Sequence, residues 1–259
     1  MMTAKAETQA RPRPRRQHRE ISLGRWIGAP LFVLIVGTVL FTVIGTATLD
    51  SIEERSIGDG RVWLKVVEHL KLMGVSSAIA LAIAVPAGVL VTRPRFRFLR
   101  PPFLGIANMG QAIPSLAFIA LVFLLVGIGF TPAILALVAY AILPILRNTI
   151  AGIDLVDPAI KEAAVGMGLS KIQILLRMEL PLAFPVMFAG IRTATVINVG
   201  TAALATFIAG GGLGDIIREG IALNRSIVFY TGGIITALLA ISVDWIGEIT
   251  EAWLSPPTR

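Results

Sequence analysis

Apolar runs close to twenty residues long recur along this chain, separated by short polar segments. Each run is long enough to cross the hydrocarbon core of a bilayer as a helix. The pattern predicts six spans, at about 26–49, 72–92, 103–126, 131–146, 184–209 and 227–246. The fourth is the shortest and contains Pro144. Pro86, Pro114 and Pro132 also lie inside or beside spans, where neighbouring helices can satisfy the carbonyls that proline frees. The fold class that follows is an all-α polytopic membrane protein with about six transmembrane helices and one substantial polar loop.

That loop, residues 147–181, carries its own helix signals. Asp157 before Pro158 is an N-cap followed by a proline at the first helical position. The helix it opens should run to about Met167 and stop at Gly168, a C-terminal glycine. Ser170 with Gln173 three residues later forms a capping box that starts a second helix. Ile172, Leu175 and Leu176 give that helix an apolar stripe. It should end at Leu180, because Pro181 disfavours helix in the residue before it. The result is a two-helix knob with a glycine corner. An amphipathic loop lying on the bilayer, with Lys171 and Arg177 at the headgroups, is the alternative reading of these residues.

The cationic residues orient the spans. Lys5, Arg11, Arg13, Arg15, Arg16, Arg19 and Arg25 precede or open the first span. Arg93, Arg95, Arg97 and Arg100 follow the second. Arg147, Lys161, Lys171 and Arg177 follow the fourth. These segments share one side if spans alternate, and the positive-inside rule makes that side cytoplasmic. The loop after the first span instead mixes Asp50, Glu53, Glu54, Asp59 and Glu68 with Arg55, Arg61, Lys65 and Lys71. Both termini are therefore expected in the cytoplasm. Residues 1–25, proline-broken and basic, read as a disordered tail. The Arg15-Arg16 pair also raises a twin-arginine signal, which the absence of a small-residue cleavage site disfavours.

Composition narrows the function. Only 15% of the 259 residues are charged, against about 25% in soluble domains. The absence of cysteine removes disulfides and thiolate metal sites. His18 and His69 are too far apart for a metal-type spacing, so no metal site is expected. The net charge of +7 is spread beside spans rather than gathered for nucleic acid. No G-x-x-x-x-G-K-[ST] sequence is present, so no P-loop for ATP is expected here. The Gly210-to-Gly214 run has no lysine after it and reads as a flexible outer turn. Trp26, Trp63, Trp245 and Trp253 lie near span borders and read as interfacial anchors.

Polar side chains inside spans are costly in lipid and face protein or water. Asn108, Gln111 and Ser115 fall on one face of the third span. Thr195, Asn198 and Thr201 recur at three-residue spacing in the fifth. Both sets are candidates for a translocation path, and interhelical hydrogen bonding that packs the bundle is the competing reading. Arg192 lies about eight residues into the fifth span, roughly 12 Å deep. Asp244 lies at a comparable depth in the sixth, so the two are expected to pair, unless Arg192 snorkels to the headgroups.

The polar loop also carries a resemblance. Glu162-Ala163-Ala164, then Gly168, then Leu180-Pro181 follows the spacing of the EAA loop of ABC-importer permeases, with Met178 where isoleucine is usual. The stretches 105–115, 143–149, 189–194 and 201–214 resemble glycine betaine, carnitine and choline (osmoprotectant) permeases of MetI-like fold. The likeness covers about residues 65–247. It implies that Glu162, Ala163, Ala164, Gly166 and Gly168 seat the first loop helix on an ATPase. It also implies a domain plan: a tail over 1–25, an extra span and outer loop over 26–64, a permease domain over 65–252 with coupling loop 147–181, and a C-terminal tail over 253–259.

The implied partners are an ABC ATPase subunit, a second copy or homologue of the permease, an extracytoplasmic solute-binding protein and membrane lipid. ATP and magnesium would be used by the ATPase, with no cofactor or catalytic residue on this chain. No room is expected after the sixth span for a fused binding domain, and an aromatic cage for a quaternary ammonium would sit on the separate binding protein. The implied location is a bacterial cell membrane. A self-contained secondary transporter or channel is the alternative, for which neither an internal repeat nor buried acidic residues are evident. A membrane enzyme lacks any nucleophile–base or metal-ligand set.

Overall fold

The computed structural model describes residues 23–58 and 60–254; most of the expected basic tail, including Arg15-Arg16, and residues 255–259 lie outside them. Among the described residues there is no strand. Eleven α-helices follow in order: α1 Leu23–Thr46, α2 Ser51–Ile57, α3 Arg61–Thr92, α4 Arg100–Ala112, α5 Ser115–Val126, α6 Phe130–Asp154, α7 Pro158–Gly166, α8 Lys171–Ile174, α9 Leu180–Ala202, α10 Leu213–Ala222 and α11 Ser226–Leu254. Five helical stretches are long and apolar enough to cross a membrane, and a bent helix pair raises this to six.

Helices α3, α6 and α9 form the core of the bundle. On α3, Leu72, Ser76, Ala80, Ala84 and Gly88 are buried at a spacing of four, one mostly small-residue stripe. Small residues let helices approach closely, and close approach is what holds helices together where lipid is as apolar as the protein. A Cβ on Gly88 would lie 2.7 Å from Thr149 Cγ2 of α6. A Cβ on Gly190 of α9 would lie 2.8 Å from the Pro144 carbonyl oxygen and overlap Asn148 Cβ. Helix α1 is peripheral: 6% of its spanning window is buried, against 61% for α6. It leans on α11, where Trp245 Nε1 donates to the Trp26 carbonyl at 3.1 Å.

The bent pair corrects the third expected span. Residues 103–126 do not form one helix: the segment Pro94–Ala112 meets Ser115–Val126 at 102°. Pro114 has no N–H and pushes Ile113 into extended backbone, with ψ 131°. Neither α4 nor α5, at 13 and 12 residues, reaches across a ~30 Å core alone at 1.5 Å per residue.

Pro144, by contrast, does not end the fourth span. Helix α6 continues through it to Asp154, so Arg147 and Asn148 are helical rather than loop residues. The missing proline N–H orphans the carbonyl of Tyr140, four residues back. Gln111 Nε2 of α4 donates to that carbonyl at 2.8 Å. The Tyr140 hydroxyl donates in return to the Ile113 carbonyl in the break of the bent pair. One helix's proline is thus satisfied by another helix's side chain.

Two further boundaries move. Helix α3 starts at Arg61, so Lys65, Glu68, His69 and Lys71 belong to its first turns and not to a loop. Lys65 and Glu68 are tolerated there because they pair with each other. The second knob helix does not stop at Leu180. It passes through one π-helical turn, Leu175–Glu179, straight into α9. A π turn shifts the hydrogen-bond register by one residue, and Pro181 sits in the first turn of α9, where a missing N–H is tolerated.

Candidate functional site

The knob between α6 and α9 is built by local capping. Asp157 Oδ1 accepts from Ala159 N at 2.9 Å and opens α7 at Pro158. Helix α7 closes in a Schellman pattern: Leu169 N donates to Ala164 O at 3.1 Å and Gly168 N to Val165 O at 2.9 Å. That closure needs a left-handed residue, and Gly168 has φ +78°. Ser170 and Gln173 exchange the two bonds of a capping box at the start of α8.

The knob's faces differ. Glu162, Ala163, Gly166 and Gly168 are exposed, while Ala164 is buried against the chain itself. Only Ala163 of the alanine pair therefore remains for a partner, which changes the expectation that both seat the helix on an ATPase. Around these residues Val165, Met167, Ile172 and Leu176 stand outward, Met167 and Ile172 being 67% and 68% exposed. Outward apolar side chains above a membrane bundle mark a contact surface.

Beneath the knob lies Glu179, which sequence reasoning passed over. Its carboxylate is buried; Oε2 is 2.7 Å from Arg93 Nη2 and Oε1 is 3.4 Å from Lys161 Nζ. Nothing in the E-A-A to L-P spacing points to it, because both its partners are distant in sequence.

The expected path residues are not gathered in one cavity. Asn108 accepts from Arg147 Nη2, and Gln111 is committed to the Tyr140 carbonyl. Ser115 falls beyond the bend, so it does not share a helix face with the other two. Asn198 is fully enclosed and donates to Ser76 Oγ at 3.0 Å and Ser77 Oγ at 3.1 Å on α3. Thr195 and Thr201 turn back on their own helix, donating to the Ile191 and Ile197 carbonyls at 2.8 and 2.7 Å. Arg192 Nε lies 2.9 Å from Asp244 Oδ1, with Glu251 Oε2 3.4 Å from Arg192 Nη1.

At the opposite end of the bundle a charged cap joins α3 to α10. Lys65 Nζ lies 2.7 Å from both Glu68 Oε2 and Asp215 Oδ2. Arg61 pairs with Glu219 at 2.5 Å, and Arg225 with Asp50 at 2.7 Å. Gly212 N donates to Glu68 Oε2 at 3.0 Å. His69 is buried, with Nδ1 accepting from Leu213 N at 3.3 Å and Nε2 at 2.9 Å from the Val199 carbonyl. The proton therefore sits on Nε2, and the imidazole is neutral. The glycine run expected to be a flexible turn is pinned by these bonds. A cavity of about 510 Å³ opens beside the cap, lined by Lys65, Glu68, Lys71, Phe130, Asp215 and Arg218.

Residues 84–256 match the model of the binding-protein-dependent transport system inner membrane component family. The chain belongs to that family. It is 38% identical to the osmoprotectant import permease protein OsmY of Salmonella typhimurium over 92% of this chain and 98% of that one. It is 40% identical to the choline transport system permease protein OpuBB of Bacillus subtilis, over 76% of this chain and 90% of that one. The glycine betaine/carnitine/choline transport system permease protein OpuCB of the same organism is 39% identical over 76% of this chain and 90% of that one. Among solved structures, a chain of the MetNI methionine ABC transporter in inward-facing conformations superposes with a TM-score of 0.66 at 25% identity, over 75% of this chain and 96% of that one.

The chain is thus a multi-pass inner membrane permease of MetI-like fold. Helices α6, α7 and α9 fall inside the family region, and α1 and α2 precede it. The knob, with its E-A-A to L-P spacing, lies near the middle of that region.

Proposed function

We propose that this chain is the permease subunit of an ATP-binding-cassette importer for a small zwitterionic or quaternary-ammonium solute of the betaine, choline or carnitine type. The observation that carries the coupling is the knob: two capped helices outside the bundle that present Glu162, Ala163 and exposed apolar side chains with no partner among the described residues. The names of the relatives support the solute class. In this reading Glu162, Ala163, Gly166 and Gly168 meet a separate ABC ATPase, which binds ATP and magnesium. A second permease, identical or homologous, completes the pore, and an extracytoplasmic binding protein delivers solute to the face that holds the charged cap. In this reading both termini and the knob lie in the cytoplasm, which the cationic segments beside the spans support.

Reconstitution tests this reading. Vesicles containing the permease, the ATPase and the binding protein should accumulate glycine betaine, carnitine or choline only with ATP inside the ATPase compartment. Ion-gradient-driven accumulation by the permease alone would overturn it.

The path is proposed to run past Asn108 and its partner Arg147, with Gln111, Ser115, Thr195 and Thr201 along its wall and Asn198 behind it. The chain has no cysteine, so single replacements report directly. Asn108→Cys should react with a water-soluble thiol reagent during turnover, and Asn198→Cys should stay unreactive. The reverse order would displace the path.

A further inference from the structure

Glu179 joins three elements at the knob end of the bundle, well along α3 from the Asn198 bonds to Ser76 and Ser77. It closes the π turn that leads into α9, its Oε1 faces Lys161 of α7, and its Oε2 faces Arg93 at the inner end of α3. The two cations are held in turn. Lys161 Nζ also reaches the Ile153 carbonyl at 3.4 Å, and Arg93 donates to Thr92 Oγ1 at 3.1 Å and to the Val89 carbonyl at 3.3 Å. The Glu179 side chain is only 6% exposed. A buried carboxylate that loses a cation is left uncompensated at high cost, so the junction resists being pulled apart.

Helix α3 extends this junction across the molecule. Its 32 residues measure about 48 Å. At its outer end the same helix grips α10 through Lys65–Asp215, Arg61–Glu219, the Glu68 bond to Gly212 N and the His69 bond to Leu213 N. A displacement of the knob that carries Glu179 with it therefore has a polar grip on α3 inside, and α3 has a polar grip on α10 outside.

We propose that Glu179 is a positioning residue that passes motion of α7 to α3, and that α3 delivers it to α10 and the cavity beside the outer cap. This rests on the reading of α7 as the ATPase contact. It assigns a role to a variable position of the E-A-A to L-P pattern, between Met178 and Leu180, and predicts that coupling can be cut without releasing the ATPase.

The test uses the complete transporter with Ala209→Cys as reporter, in lipid nanodiscs for labelling and in sealed vesicles for uptake. Ala209 is exposed and lines the outer cavity, and this chain has no cysteine of its own, so its labelling is read on the permease band after the subunits are separated. The rate of labelling by a water-soluble maleimide is compared without nucleotide and with ATP plus vanadate. In the Ala209→Cys background nucleotide should change this rate. With Glu179→Gln added, the ATPase should still co-purify in the same ratio. The nucleotide response at Ala209 should vanish, and uptake should fall about tenfold or more.

Arg93→Gln cuts only the link to α3 and serves if Glu179→Gln does not insert; the same loss of response is expected. Arg93→Lys keeps a cation there and should keep the response. A nucleotide response and uptake unchanged in Glu179→Gln, or in Arg93→Gln where that variant has to serve, would overturn the proposal. So would loss of the ATPase from the variant that loses uptake, since the junction would then merely hold the knob's shape. Absence of the ATPase from the unsubstituted complex would instead remove the underlying reading together with this one.

Discussion

The two polar ends of this bundle use their side chains in opposite ways. The outer cap satisfies itself: one lysine serves two carboxylates, two arginines find two more, and a histidine takes up two backbone groups. The knob pairs Lys161 with Glu179 beneath it but leaves its outward side chains unpaired among the described residues. Its caps are complete, yet Glu162 makes no ion pair among the described residues and its apolar neighbours face outward. Polarity alone does not mark a partner surface. A surface whose backbone is finished and whose side chains are not is the one prepared for another protein.

That contrast can be broken at either end. The largest effect is expected from Gly168→Asp. The left-handed φ of +78° and the added charge both disturb the Schellman corner, and uptake normalised to inserted protein should fall at least about tenfold. ATPase co-purification should fall with it, and wild-type values of both would remove the knob as the coupling element. Next comes Lys65→Met in the cap, which leaves Glu68 and Asp215 without their shared cation. Breaking such a pair costs about 3 kcal/mol, read as a lowered thermal midpoint of the purified chain with ATPase binding unchanged. If ATPase binding falls instead, the cap also shapes the knob surface and the contrast between the two ends is lost. The smallest is Ser170→Ala, which removes one half of a capping box and costs about 1 kcal/mol. It should modestly lower the thermal midpoint and leave insertion intact.

The same contrast explains what could be read from the sequence. The knob was legible because its signals are local: Asp157 before Pro158, Gly168 after the helix, Ser170 with Gln173. Each pairs residues two to five apart, and each is present. The cap was illegible for the opposite reason, since Lys65 and Asp215 are separated by 150 positions. Its charges look like a mixed loop until the fold neutralises them, and α3 then starts eleven residues earlier than its apolar run suggests. The prolines divide in the same way. Pro114 breaks its helix as local sterics dictate, whereas Pro144 is rescued by Gln111 from α4, a partner that no window around position 144 contains. The Arg192–Asp244 contact was accessible because depth in a bilayer supplies a long-range coordinate that soluble proteins lack.

The π turn over Leu175–Glu179 has a consequence of bearing. Each residue of an α-helix advances the chain by about 100° around its axis. A π turn is the trace of one residue too many for that rhythm, so it sets the compass heading of everything before it relative to α9. Removing Leu176 would let the helix run evenly into Pro181 and swing the knob roughly a quarter of a circle about the α9 axis. The capped helices would remain whole, with every backbone bond of the corner in place, and would present their exposed face in another direction.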